Sequence, residues 1–174
     1  TDRESMKTTA LLFGLDLDYV SLTLPRIPCA EEAEKITALA ELCSENFADY
    51  NAERMARLIK KRMSSGEIFV IEHKNNIAGF IMFSKKNKTI DHIAVSPDYR
   101  RIGIASRLMV TAMAQFEVGE ELSAVTFRQE HPMSDGVSRM YKKFGFDDEK
   151  NIVVRGEPLV KRTAVVPEKA IITE

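Results

Sequence analysis

The chain has 174 residues, 44% of them hydrophobic and 29% charged, with a net charge of −1. That length favours one domain able to bury a sizeable core, and the composition is that of a globular protein rather than a fibrous or disordered one. Near-neutral charge removes any global electrostatic reason to expect nucleic acid as a partner, and no apolar run reaches the roughly 20 residues that a membrane-spanning helix needs.

In chain order, residues 1–18 read as an N-terminal extension. Asp16 and Asp18 interrupt its short apolar patch, and no small-residue cleavage site follows, so it is not read as a signal peptide. One domain is expected over 19–168, with a short tail at 169–174. A first strand is expected over Tyr19 to Arg26, ended by Pro25 and Pro28. Ile36, Leu39, Ala40 and Cys43 then recur at helical spacing behind acids in the first turn, where the helix dipole favours them. Met55, Leu58, Ile59 and Met63 mark a second helix, with Asn51 as its cap and Gly66 as its stop.

Three β-rich runs follow, "EIFVIEH", "IAGFIMFS" and "TIDHIAVS", separated by short polar turns as in an antiparallel meander. Leu108, Met109, Ala112, Met113 and Phe116 form the stripe of a third helix, with Gly119 as its terminator. "LSAVTFRQ" is a strand, "SDGVSRMYKKF" a helix opened by Ser134 or Asp135 and closed at Gly145, and the chain ends in a hairpin turning at Gly156 to Pro158. The expected order is β-α-α-β-β-β-α-β-α-β-β, an α+β fold. Cys29 and Cys43 fit neither a disulfide framework nor a metal-ligand spacing, and His73, His92 and His131 form no ligand pattern, so two thiols, no metal and a cytoplasmic setting are expected.

The stretch "PDYRRIGIASRL" carries the chemistry. A helix beginning near Gly103 presents unpaired N–H groups and a partial positive charge, which attract phosphate. Gly103 lets a ligand approach the backbone, Ala105 and Ser106 keep the next turn slim, and Arg100 and Arg101 can meet phosphate oxygens. A plain solvated turn would show the same spacing. The pattern is neither a Walker loop, since no Gly-Lys-Ser or Gly-Lys-Thr follows, nor a dinucleotide fingerprint, since the second and third glycines are missing.

"RRIGIA" has the form Arg-x-x-Gly-x-Ala and resembles the acetyl-CoA-binding motif of the GCN5-related N-acetyltransferases (GNAT). "IAVSPDYRRIGIASRLM" resembles the strand–loop–helix of that family, and "MYKKFGF" resembles its second signature, a tyrosine before a Gly-Phe pair. The resemblance implies a mostly antiparallel sheet flanked by helices and an acetyl-CoA-dependent transfer to a small-molecule or peptide amine, with no nucleic acid or membrane partner. It is also compatible with a homodimer through the C-terminal hairpin.

The resemblance further implies that Ile93 and Val95 pair with the pantetheine arm, with the Val95 N–H facing the thioester oxygen. Arg100, Arg101, Ile102, Gly103, Ile104, Ala105 and Ser106 would hold the pyrophosphate, and Tyr141 would be the acid near sulfur. Ser134 stands where many members carry asparagine seven residues before that tyrosine. Thr89 stands where some members carry a basic glutamate, which leaves Asp91 first, His92 second and Glu72 third as the base. By strand alternation Asp91 shares the face of Thr89, and His92 points the other way. A non-catalytic acyl-CoA-binding or sensing domain is the alternative, and an interaction module without cofactor a third reading. The acceptor is expected between the two N-terminal helices, their "SENFADY" joint and the hairpin near Gly156.

Overall fold

In the computed structural model, residues 24–168 are described. The expected extension at 1–18, most of the expected first strand and the tail at 169–174 lie outside the described residues. What is described of that strand is Arg26, which forms an isolated antiparallel bridge with Val70: Arg26 N–H donates to the Val70 carbonyl at 2.9 Å, and Val70 returns the bond at 2.8 Å.

Two helices come first, α1 (Ala33–Leu42) and α2 (Ala52–Ser65). The Asn51 side chain accepts from the Arg54 N–H at 2.9 Å, and Gly66 closes α2 in a left-handed conformation, so both expected helix signals of α2 operate. The meander is β1 (Ile68–His73), β2 (Asn76–Ser84) and β3 (Thr89–Val95). It leads into α3 (Ile104–Met113), β4 (Glu121–Phe127), α4 (Ser134–Lys143), β5 (Asp148–Val154) and β6 (Glu157–Val165). The six strands form one sheet in the order β1-β2-β3-β4-β6-β5, with every neighbouring pair antiparallel except β3 and β4. The expected α+β architecture is the one observed.

Two local expectations are corrected. The third helix ends at Met113 rather than running to Gly119, which lies in the turn before β4. As expected, α4 opens at Ser134, although no side chain caps it. The hairpin turns at Arg155 and Gly156, both at positive φ, and Pro158 already belongs to β6, opposite Val153.

The core has two layers. On one face of the sheet, α3 packs Ile104, Leu108, Met109 and Met113 against Phe69, Ile71, Ile81 and Phe83, together with Tyr141 and Phe144. On the other, Ile36, Leu39 and Ala40 of α1 and Met55 and Ile59 of α2 meet Ile68, Val70, Phe80, Met82 and Ala94. Gly79 sets how closely α3 approaches. A Cβ there would lie 2.8 Å from Ile104 Cγ2 and 2.9 Å from the Ala94 carbonyl oxygen, so only glycine lets the first turn of α3 sit on β2 beside Val95.

Candidate active site

The parallel pair β3 and β4 opens immediately. Its one residue pairing is Thr89 with Ser123, beside a 3.0 Å bond from the Ser123 N–H to the Lys88 carbonyl; beyond that point the strands diverge. The phase of the flanking ladders decides what faces the gap. Ser96 N–H donates to the Ala78 carbonyl at 2.8 Å, so Ala94 and Ser96 point their amides at β2 while Ile93 and Val95 turn theirs the other way. On the far wall, Val166 N–H donates to the Glu120 carbonyl at 2.9 Å, which by the same alternation turns the backbone edges of Val125 and Phe127 inward. The Val95 carbonyl on the open side accepts from Arg100 Nε at 3.2 Å.

A cavity of about 640 Å3 occupies this gap and continues to the N-terminus of α3. Of the residues expected to bind cofactor, Ile93, Val95, Arg100, Arg101, Gly103, Ile104, Ala105 and Ser106 line it. Gly103 precedes the first residue of α3 at φ 86°, with nothing within 4 Å of where a Cβ would stand. Arg101 also has positive φ, and the first turn of α3, whose amides have no intrahelical acceptor, borders the cavity. Ile102 is exposed and lies outside the lining. Ser134 is also absent from it: its buried hydroxyl donates to the Gln129 carbonyl at 3.0 Å, which directs it back into its own loop.

Tyr141 lines the cavity from α4, 4% exposed, with its ring edge-on to Phe146. Burial, reinforced by the Asp91 charge, pushes its phenol well above the ordinary value, so it remains protonated. The helix that carries it is anchored by buried Arg162 of β6. Nε of that side chain donates to Thr126 Oγ1 at 2.8 Å, and its terminal nitrogens donate to Ser138 on α4 at 2.6 Å and to Glu149 at 2.5 Å.

The base candidates depart from simple alternation. The β2–β3 register shifts between Met82 and Phe83: Met82 pairs with His92 but Phe83 with Ile90, so Asp91 is the extra residue of a β-bulge. The bulge sends both Asp91 and His92 toward the helical layer. His92 does not point opposite Asp91, as expected; it meets Phe47 edge-on at 5.0 Å between ring centres, while Asp91 meets α2. Both carboxylate oxygens of Asp91 are engaged, Oδ2 by Arg62 Nε and Oδ1 by Thr89 Oγ1, each at 2.8 Å. His92 Nδ1 is buried with no hydrogen-bond partner. Desolvation, with Arg62 contributing, lowers its pKa to about 4, although Asp91 pulls the other way. Its imidazole is therefore neutral at physiological pH. Glu72 is absent from the residues lining the cavity.

A second cavity, of about 510 Å3, shares Ala48, Asp91, His92 and Val125 with the first, so the two meet at the base candidates. Its walls are the joint at Ala48 to Asn51, one face of α2, and Val154 and Arg155 of the hairpin.

Arg62, Phe47, Arg162 and Lys143 were not singled out as site residues by the sequence. Lys143 offered a weak signal, two positions after the tyrosine; its Nζ donates to Ser106 Oγ at 3.2 Å across the mouth of the loop. For Arg62, one of five Arg and Lys residues on α2, nothing local distinguishes it.

A sheet split beside a glycine-led helix start, with a buried tyrosine facing the split, defines an acetyltransferase-type fold. A sequence profile described as acetyltransferase (GNAT) domain matches residues 64–148. The match takes in the meander, the loop, α3, β4 and α4. Among solved structures, a GNAT-family protein from Desulfovibrio desulfuricans is similar over 84% of this chain and 99% of its own, at 15% identity and a TM-score of 0.65. A GNAT-family acetyltransferase from Bacillus cereus covers 83% and 97%, at 17% identity and a TM-score of 0.64. A Salmonella typhimurium protein solved with its cofactor acetyl-CoA covers 88% and 99%, at 13% identity and a TM-score of 0.59. Among proteins of curated function none matches the sequence.

Proposed function

We propose that the protein is an acetyl-CoA-dependent N-acetyltransferase that moves an acetyl group to a primary amine by direct attack within a ternary complex. The observation that carries this reading is the β3–β4 gap, where the Ile93 and Val95 amide edges face an open wall leading straight to the Gly103 loop. An extended amide-bearing tether satisfies such edges as an added strand would. The residues fit the group: the loop end of the cavity is lined by Arg100, Arg101 and Lys143 together with the N-terminus of α3, a setting for paired phosphates.

Acetyl-CoA supplies the thioester whose carbonyl carbon is attacked. The Val95 N–H, turned into the gap, donates to the carbonyl oxygen as negative charge develops there. Tyr141, held protonated by burial, donates to the departing sulfur, whose thiol titrates near 8.5. The attacking amine must first lose a proton. His92 is the group we assign to accept it through a water, because it lines the junction of the two cavities and its Nδ1 is unpaired. Asp91, with both oxygens engaged, holds the bulge and the Arg62 charge in place instead.

The specific alternative is an acyl-CoA sensor, favoured by Thr89 in the position of the family's glutamate and by the engaged carboxylate of Asp91. Calorimetry with acetyl-CoA, followed by thiol release against an amine panel, separates the two. Binding with acceptor-dependent thiol release supports the transferase; binding with no release by any amine supports the sensor; no binding removes both.

A further inference from the structure

We infer that the acceptor is an anionic amine, one that carries a carboxylate or phosphate on the same molecule as its nucleophilic nitrogen. The inference rests on the transferase reading above and concerns the second cavity. Its charged lining is lopsided: Arg54, Arg57, Lys61 and Arg155 stand against the carboxylates of Asp49 and Asp91. Asp91 is already neutralised by Arg62, at 2.8 Å. Asp49 is held by two cations, Arg54 at 3.1 Å and Arg155 in a short contact, while its own amide donates to Glu157. It therefore offers no free charge to a cationic substrate. Arg57 and Lys61 form no ion pair among the described residues.

The arrangement has a direction. Arg54, Arg57, Leu58 and Lys61 stand at positions i, i+3, i+4 and i+7, one face of α2, and Arg62 beside them reaches the bulge. An amine at the junction of the two cavities lies beside His92 and Asp91, and an anion on the same molecule then falls along α2 toward Arg57 and Lys61. Met55, Leu58, Val125 and Leu159 supply the apolar wall between. Arginine and lysine hydrogen-bond carboxylate and phosphate alike, so the charge is specified and the acid is not.

The test uses pairs with and without the anion, compared at equal concentration of unprotonated amine: leucine against leucinamide, and phosphoethanolamine against ethanolamine, with spermidine as the cationic reference. Binding to the protein saturated with CoA and thiol release from acetyl-CoA are both measured. The expectation is at least about tenfold tighter binding, or higher kcat/KM, for one of the two acids over its neutral partner. Whether the carboxylate or the phosphate pair shows the preference identifies the acid. In the double variant R57Q/K61Q the preference should shrink toward parity through KM, with acetyl-CoA affinity unchanged. Equal treatment of each pair, preference for the amide or for spermidine, or a preference that survives the double variant overturns the inference while leaving the transferase standing. Absence of acetyl-CoA binding by the wild-type protein instead overturns the transferase reading, and this inference with it.

Discussion

Arg62 Nε donates to Asp91 Oδ2 at 2.8 Å, with the two side chains only 7% and 15% exposed. The pair fastens α2 to the bulge of β3 where the two cavities meet. Removing one member leaves a charge in a poorly solvated place, which is worse than removing both. Arg62→Leu should therefore cost about 3 kcal/mol of stability, measured by urea denaturation, and the double variant Arg62→Leu/Asp91→Leu should recover part of that loss. Additive losses would show that the pair is not coupled.

His92 gives a pH signature. Its pKa lies near 4 in the fold, against the usual 6.5, because burial disfavours the charged ring. The unfolded chain thus binds the proton more readily than the fold does. The contribution of His92 is fully present above pH 6.5, falls as pH drops toward 4, and reaches a loss of about 3 kcal/mol there. Denaturation midpoints across this window should decline less steeply in His92→Leu than in the wild type. An unchanged slope would place the imidazole in water.

Two glycines should separate stability from ligand binding. Gly79→Ala meets Ile104 and the Ala94 carbonyl at under 3 Å and should lower stability by about 2 kcal/mol, as overpacking does. Gly103→Ala meets nothing, but places a side chain at φ 86°, a strain of about 1 kcal/mol. Its larger effect should be on acetyl-CoA affinity, since the new methyl stands on the open side of the loop. Thermal melts and calorimetry on both variants should give opposite rankings.

Tyr141→Phe should leave acetyl-CoA affinity close to the wild-type value and lower kcat by about a hundredfold, the scale of a lost general acid. Full turnover in this variant would leave Tyr141 as a packing residue beside Phe146.

Much of the molecule was legible because its signals are local. The Asn51 cap, the Gly66 stop, the polar turns of the meander and the stripe from Leu108 to Phe116 each act within a few residues. The loop around Gly103 was legible for the same reason. The bulge at Asp91 was not. One extra residue reverses the alternation downstream, and nothing in "TIDHIAV" announces it, so the expected opposition of Asp91 and His92 failed. Ser134 was read by position, but its hydroxyl is taken by a carbonyl five residues earlier. The requirement for Gly79 and the partnership of Arg62 depend on elements far apart in the chain, so they emerge only from packing.

On the function proposed above, the parted strands and the Gly103 loop together hold one ligand. Amide-resolved NMR during an acetyl-CoA titration tests it most directly. Ile93, Val95 and Gly103 should shift together along one saturating isotherm, while Thr163, in β6 at the end of the sheet where β3 and β4 still pair, stays in place. Saturation with no movement at Val95 and Gly103 would contradict it.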